Sequence, residues 1–440
     1  MKILILDIYK NADYRVSKDT SGGYGTANNF GEDLFTVFLK KKLKKMHDWP
    51  SVSCAYVFSV LKNKGHQVEY AKKIPDDYNK NDFIIVTSSI VCCETELKAI
   101  SEIKKKCNKI FAIGPFAINN TKLYIEAGAT VVLGEPEFYF LSNLNFLEDS
   151  KKDIVSFKHD FQLDDLPYPS WQEMIFDFKL VSKLFGNEMS IPILATRGCP
   201  FSCFKYCVYP LQQGRKVRQR SPVNIVDEIS YWHKKGVSNF IFRDPVFSIN
   251  RKHTVEFCNE LIAKNLKISF LIETHLKILD SEIIKLLKKA GLRVAKVGVE
   301  GEDLDVLKKS ARYTIEKDEQ YSKIRELEDN GIKVSAMYII GFPDDDAITI
   351  NKTIEYAKKL NTFYAQFSVW TPYPGTPVFD EYKNSIIVKN FESYDQYSLV
   401  YKHKLFEPNH IKYFLSKAYT RYYLRISWVL KYLRSRLFYG

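Results

Sequence analysis

Residues 191 to 210 read IPILATRGCPFSCFKYCVYP, and the rest of the chain is organised around them. The apolar run Ile191 to Ala195 predicts a buried strand. The turn Gly198-Cys199-Pro200 then throws the chain off the strand's end. Cys199, Cys203 and Cys207 fall within nine residues, so three of the eight cysteines share one short loop. Three thiolates on a tight loop suit an iron–sulfur cluster, because soft sulfur ligands bind iron well. They would leave one iron with an open position for a substrate or cofactor. Inert core cysteines are the plain alternative. A structural zinc would want four ligands, usually with C-x2-C-like pairs, and no second pair lies nearby. A disulfide is not expected, since nothing marks the chain as secreted.

Downstream, residues 191 to 371 hold six strand–helix units. The expected strands are Ile191–Thr196, Asn239–Arg243, Ser269–Glu273, Arg293–Val299, Val334–Gly341 and Tyr364–Trp370. Helices between them carry apolar residues at three- and four-residue spacing, as at Ile283, Leu286, Leu287 and Ala290. Six such units fit a partial (β/α) barrel with its reactive residues at the strands' carboxyl ends. Polar and small residues fall there: Arg243-Asp244, Glu273, Gly298 to Gly301, and Gly341-Phe342-Pro343. The run Thr371 to Pro377 is expected to cap the barrel. A carboxylate at a strand end can accept from an amino group or a ribose hydroxyl, and a glycine lets a base lie against backbone. Each residue alone could be a turn or salt-bridge residue, but their succession favours a pocket.

Upstream, residues 1 to about 145 alternate strand and helix. Strands are expected at Lys2–Tyr9, Gln67–Ala71, Phe83–Val86, Lys109–Ile113 and Ala129–Leu133. Helices are expected over Ser53–Lys64, ended by Gly65, and from Thr87-Ser88-Ser89 through Lys106. This order predicts a parallel doubly wound sheet, nucleotide-binding or flavodoxin-like, with ligands at the carboxyl ends where the small residues fall. Ser21-Gly22-Gly23-Tyr24-Gly25 adds a flexible loop able to approach a ligand.

At these residues the chain resembles the radical S-adenosylmethionine (SAM) enzymes, in particular those with an N-terminal cobalamin-binding-like domain. The likeness rests on the cysteine loop, with Tyr206 before Cys207 and Val208-Tyr209-Pro210 after it. It extends over the whole barrel segment, the G-H-x-V step at Gly65 to Val68, the G-E-x-E end at Gly134 to Glu137, and the D-L-P-x-P-x-W segment at Asp164 to Trp171. The spacing here is C-x3-C-x3-C where the family has C-x3-C-x2-C. One extra residue therefore sits between Cys203 and Cys207, which a local bulge could absorb. The D-x-H-x-x-G motif is absent, and His66 sits at a helix–strand junction, so a histidine is not expected to hold cobalt.

The resemblance implies an α/β chain: a Rossmann-like cobalamin-binding-type domain over 1–145, a linker over 146–188, a radical SAM partial barrel over 189–379, and a basic helical region over 380–440. It implies a [4Fe-4S] cluster on Cys199, Cys203 and Cys207, with SAM chelating the open iron. The SAM pocket would draw on Tyr206, Asp244, Glu273, Glu300 and Gly341. Ser88, Gly114, Gly134 and Glu135 would face cobalamin. Reductive cleavage of SAM would give a 5′-deoxyadenosyl radical that abstracts hydrogen from an unactivated carbon. With cobalamin the outcome would be methylation through methylcobalamin; without it, rearrangement, cyclisation or oxidation. An electron donor such as flavodoxin or ferredoxin is implied, as is a small-molecule or lipid-like substrate. Two other readings stand beside this one: methylthiolation-type tRNA modification, and a membrane-associated scaffold disabled by the extra loop residue. No group is assigned as a catalytic acid, base or nucleophile.

Composition narrows the field. A chain of 440 residues needs more than one ordinary core. Its 45% hydrophobic and 27% charged residues are globular proportions. Met1-Lys2 leads straight into a strand, and no long uncharged apolar run follows, so neither a secretory signal nor a membrane span is expected. A reducing cytoplasm is the expected setting. The net charge of +13 is mostly lysine spread over many segments, which does not call for nucleic acid. The run Arg215, Lys216, Arg218 and Arg220 could grip a phosphate or carboxylate, or be a solvated loop. Cys258 and Cys92-Cys93 read as core. After Glu407 there is no acidic residue, while Lys412, Lys417, Arg421, Arg425, Lys431, Arg434 and Arg436 interleave with aromatics and leucines. That basic amphipathic tail is expected to pack on the barrel, with an anionic membrane surface or polyanion as alternatives.

Overall fold

Runs such as Ile3 to Leu6 and Phe83 to Val86 are apolar on both faces, so they are stable only between two helical layers. They become inner strands of a parallel sheet: β1 Lys2–Leu6, β2 Gln67–Ala71, β3 Phe83–Thr87, β4 Ile110–Ile113, β5 Thr130–Val132 and β6 Ile154–Val155. This is a computed structural model, and it describes residues 1–46, 49–143, 145–157, 161–174 and 190–439, the side chains of 436–439 excepted. The expected linker and the expected start of the barrel at 189 therefore lie partly outside the described residues, as does the side chain of Arg436.

The first sheet has the order β2-β1-β3-β4-β5-β6, all parallel. Connections reverse between β1 and β3, the switch point at which such sheets bind ligands. β6 extends the sheet beyond residue 145, into the stretch read as linker. Its two residues pair with Val131 and Val132, and two residues are too few for a periodicity signal. Helix α1 (Leu34–Lys44) and helix α2 (Val52–Asn63) follow β1, and Asp33 and Ser51 cap them.

The second sheet is β7 Ser190–Ile193, β8 Asn239–Phe242, β9 Ser269–Thr274, β10 Leu292–Glu300, β11 Lys333–Ile340 and β12 Tyr364–Val369. These strands run parallel in sequential order, which is the open half-barrel the sequence predicts. The helices between them are α3 Pro222–Lys234, α4 Arg251–Ala263, α5 Ser281–Lys289, α6 Lys317–Asp329 and α7 Ala347–Leu360. Ser221, Asn250, Asp280 and Asp346 cap four of them by accepting from first-turn N–H groups, each worth about 1 kcal/mol.

One predicted strand is cut short. The run Ile191–Thr196 leaves the sheet after Ile193, and Thr196–Arg197 pairs antiparallel with Arg218–Gln219. The cause is Asp244, whose carboxylate accepts from the N–H groups of Ala195 (2.9 Å) and Thr196. Those two donors are thereby lost to the sheet.

β12 is an edge, and unpaired strand edges recruit other chains unless covered. Helix α8 (Pro408–Tyr423) covers it. Tyr419 donates to the Phe367 carbonyl (3.0 Å) and accepts from its N–H (3.2 Å). Tyr423, one turn on, does the same at Ala365 (2.6 and 2.9 Å). Tyrosines four apart on a helix thus satisfy residues two apart on a strand. Helix α9 (Ile426–Tyr439) follows.

A short hairpin, Val16–Ser17 with Thr26–Ala27, lies across the carboxyl ends of the first sheet. Its turn begins with two buried charges facing opposite ways. Lys18 reaches Asp7 (3.2 Å) and Glu96 (2.7 Å), while Asp19 reaches Arg243 at the end of β8 (2.6 Å). The hairpin therefore ties the first sheet to the second.

Candidate active site between the two sheets

The carboxyl ends of the two sheets face each other across a narrow cleft. The first sheet lines it with small residues, among them Ser51, Ser53, Thr87, Ser88 and Gly114, together with Glu135. The barrel lines it with Leu194, Arg197, Tyr209, Gln212 and Arg243. The loop Ser21–Gly25 fits between them. Gly22 has φ +59°, and a Cβ there would meet the Tyr209 Cα at 3.2 Å, so a side chain at this position would be both strained and crowded.

The cleft's walls are joined by ion pairs. Arg197 binds Glu135 (2.8 Å) and Glu137, and Arg218 binds Glu135 through both oxygens (2.7 and 2.8 Å). Arg243 holds Asp19. Burial pushes the Glu135 carboxyl up, but Arg197 and Arg218 outweigh it and hold it below the ordinary value. At Asp19 burial wins, and the carboxyl rises to about 6 despite Arg243.

The cysteine loop closes the barrel side. Gly198, with φ +90°, starts it, and a Cβ there would lie 2.1 Å from the Lys216 carbonyl oxygen. Only glycine permits that approach. Ser202–Lys205 forms a 3₁₀ turn, and the Cys207 N–H donates to the Cys203 carbonyl at 2.9 Å. This four-residue closure absorbs the extra residue: Cys203 and Cys207 stand one helical turn apart on the same side. The hydrogen bond between their thiols lowers Cys203 to about 7, with burial opposing and Arg312 assisting. Burial raises the Cys199 thiol. Among the described residues no three acidic, histidine or cysteine side chains converge on a single-ion site. A cluster asks for something else, since each thiolate takes a different iron. A tight loop of three sulfur donors, two of them on one helical turn, fits such a group.

The remaining predicted residues divide. Tyr206 and Cys207 line a second, largely apolar hollow at the barrel mouth, with Val369, Trp370 and Tyr373. The Tyr206 hydroxyl is buried and without a partner. Glu273 accepts from Tyr209 (3.0 Å) and pairs with Lys296 (3.3 Å). Glu300, at φ +65°, pairs with Arg312 (3.3 Å), and burial raises its carboxyl against that pull. Asp244 braces the start of the cysteine loop and is pushed up to about 7 by burial, against its bonds from Thr196 and Ala195. Ser88, Gly114 and Glu135 line the cleft. Gly134 and Gly341 instead face packed side chains, Phe157 and Ile411 respectively, and Tyr401 takes the Gly341 carbonyl (2.8 Å).

The basic run is not a free anion grip. Arg218 is held by Glu135, and Arg220 is buried on Glu228 (2.5 Å). Arg215 donates to the Pro200 carbonyl (3.0 Å) and covers the Phe204 ring. The run braces the cysteine loop. Sequence reasoning gave no role to Asp19, Arg197, Gln212 or Lys296, and set Arg243 at a strand end without a partner. The available signal was arginine at the end of buried strands, which requires a carboxylate that the sequence does not locate.

Comparison with known proteins agrees with this geometry. The model of the radical SAM superfamily matches residues 193–357. An uncharacterized methyltransferase of Pyrococcus horikoshii is 26% identical over 87% of this chain and 89% of its own length. The anaerobic magnesium-protoporphyrin IX monomethyl ester cyclase of Rubrivivax gelatinosus is 30% identical over 58% of this chain, which spans about half of that protein (47%). Among solved structures, the radical SAM methyltransferase TsrM of Kitasatospora setae, with cobalamin and a [4Fe-4S] cluster bound, has a TM-score of 0.62 at 15% identity, over 87% of this chain and 78% of that one. That likeness is one of fold. The chain thus carries a radical SAM domain over residues 193–357, and ahead of it a domain that shares its fold with the one in that cobalamin-bound structure. Enzymes of this superfamily work with a [4Fe-4S] cluster and SAM.

Proposed function

We propose that this enzyme is a cobalamin-dependent methyltransferase acting on an unactivated carbon of a small or lipid-like molecule. The observation that carries the reading is the shared cleft: small residues at the switch point of one sheet face Arg197, Tyr209 and Gln212, which flank the cysteine loop of the other, across a space shielded by ion pairs. Its residues suit a large polar cofactor. Ser51, Ser53, Ser88 and Gly114 leave room, and buried Asp19 Oδ1 and Gln212 Nε2 have no partner. None of the lining residues is a histidine, so a corrinoid would sit there without an imidazole from the cleft.

Cys199, Cys203 and Cys207 would hold the cluster, with Arg312 supplying positive charge beside Cys203. SAM would lie beside Tyr206, Glu273 and Glu300: the Tyr206 hydroxyl has no partner, and Glu273, held by Tyr209 and Lys296, and Glu300, held by Arg312, would share their oxygens with it. Bound together, these groups supply one-electron cleavage of a sulfonium and a carrier for a methyl group. The chain's own work is to orient and to exclude water. Asp244 fixes the loop's entry, the Arg197–Glu135–Arg218 network sets the spacing of the walls, and Tyr209 keeps Glu273 in place. A reducing compartment and a low-potential donor such as flavodoxin or ferredoxin complete this reading.

The Pyrococcus relative, an uncharacterized methyltransferase matched over 89% of its length, favours methyl transfer over cyclisation, the cyclase being matched over 47% of its own. The tRNA reading rests on the overall basic charge, to which Arg218 and Arg220, engaged internally, add no free grip. The disabled-scaffold reading loses its premise, because the extra loop residue is taken up within one helical turn.

The test is anaerobic reconstitution followed by titration with hydroxocobalamin. We expect about four irons per chain and saturable cobalamin binding. Ser53→Trp, which fills the cleft far from the cysteines, should keep the iron and weaken cobalamin binding on the order of tenfold, as expected of a clash of about 1–3 kcal/mol. Full iron with no cobalamin binding, or binding indifferent to Ser53→Trp, would sink the cobalamin half of the proposal.

A further inference from the structure

We propose that α1 and α9 form a face that seats the protein on an anionic lipid surface. α9 is mounted with its polar side inward. Trp428 donates its indole N–H to the Phe363 carbonyl (2.8 Å), Arg425 donates to the Lys358 carbonyl (2.7 Å), and Lys431 pairs with Glu328 (2.6 Å). The opposite side carries Ile426, Val429, Leu430 and Leu433, spaced i, i+3, i+4, i+7. They are 79, 39, 50 and 50% exposed. Such a stripe ordinarily faces a core; here it faces water. α1 repeats the pattern, with Leu34 and Phe38, one turn apart, 93 and 62% exposed.

The two helices belong to one face. Asp33, the cap of α1, accepts from the Thr420 hydroxyl (2.6 Å), and the Phe35 ring centroid lies 6.4 Å from that of Tyr423. The start of α1 therefore sits beside the turn between α8 and α9.

Charge identifies what covers this face. Residues 34–46 contain five lysines and no acidic residue, and on α9, where Arg425 before it and Lys431 face inward, Arg434 is exposed and no acidic residue occurs. Aliphatic side chains flanked by lysines, without carboxylates, are the composition of helices that lie among headgroups. Among the described residues no helix is long and apolar enough to cross a membrane, so the contact is with the surface. A second copy of this chain would set lysine rows against each other across a two-fold axis. A nucleic acid would neutralise the lysines and leave the aliphatic stripe in water. An anionic bilayer satisfies both. The inference concerns attachment and does not depend on the reaction proposed above.

The test is flotation of the full chain with vesicles of phosphatidylcholine alone and of an equal mixture of phosphatidylcholine and phosphatidylglycerol. Flotation is expected with the mixture and not with phosphatidylcholine alone, and to weaken as salt is added. Leu430→Ser with Leu433→Ser should weaken partition on the order of tenfold. Lys41→Gln with Lys45→Gln should weaken it about fivefold per lysine. All four side chains are exposed, and unchanged thermal melts would show that the fold survives. No flotation with the mixed vesicles, or flotation indifferent to both pairs of substitutions, would overturn the proposal. So would a solution dimer dispersed by the leucine substitutions, which would assign the face to a second copy.

Discussion

The two sheets are built alike, six parallel strands each, and both open their carboxyl ends on the same cleft. They furnish it differently. The first sheet ends in residues that leave space: Thr87, Ser88, Gly114. The barrel lines it with bulk and charge, Arg197, Tyr209, Gln212 and Arg243, and carries Cys199 to Cys207, Glu273 and Glu300 beyond that lining. On the function proposed above, one half shapes the site and the other supplies its reactive groups. A change on the first sheet should therefore act by volume, and a change on the barrel by loss of a ligand or a charge.

The strongest break in that symmetry is Cys203→Ala. Iron should fall from about four per chain to background, with no SAM cleavage, because a three-thiolate loop offers no spare ligand. The fold should remain, since a single cysteine truncated in a loop costs about 1 kcal/mol. Cobalamin binding should also remain, as Ser51, Ser53, Ser88 and Gly114, which would make room for it, belong to the other half. Retained SAM cleavage by this variant would refute the assignment of the loop; iron lost together with cobalamin would show that the halves are not separable.

Arg197→Met tests what joins the halves. It leaves Glu137 buried without its partner and Glu135 with Arg218 alone. Removing one member of a buried ionic cluster costs about 3–5 kcal/mol, read as a lower midpoint in chemical denaturation. Arg251→Met, at a fully exposed pair with Asp280 and Glu282, should hardly move the midpoint. Equal effects from the two would mean that the cleft's network is solvated in solution.

The contrast between the sheets also explains what the sequence disclosed. The six barrel strands were legible because each carries buried apolar positions, in a run or at every second residue, between clear turn signals, though the first is shorter than its run. The first sheet's inner strands were legible for the same reason. β6 and the Val16–Thr26 hairpin were not, because two-residue strands carry no period. The cysteine loop announced itself by spacing alone. The charges that hold the cleft did not: Arg197 meets Glu135 across 62 residues, and Arg243 meets Asp19 across 224. Local pattern cannot reach that far. Gly134 and Gly341 show the converse limit, since a glycine at a strand end reads the same whether it faces a ligand or, as here, a packed side chain. The tail was legible as amphipathic, but not that its first helix would turn tyrosines onto a strand edge while its second turned leucines to solvent.

The smallest expected effect concerns pH. Asp244 has an ordinary value near 3.8 and rises to about 7 in the fold. A folded value above the unfolded one means that the native state binds the proton more tightly. This group's contribution to stability is then complete below about pH 4 and is lost as pH rises through 7. Asp19, raised to about 6, acts with the same sign over a narrower window. Asp244→Asn keeps an oxygen for the N–H groups of Ala195 and Thr196 and removes the titration. Melting temperatures from pH 4 to 8 should therefore fall more steeply for the wild type than for the variant, with the variant at least as stable at pH 8. The opposite slope would mean that the two N–H bonds outweigh burial and keep Asp244 ionised. The carboxylate would then be an anchor of the cysteine loop that the barrel holds charged, and the rule that this sheet supplies charge would extend to its most buried member.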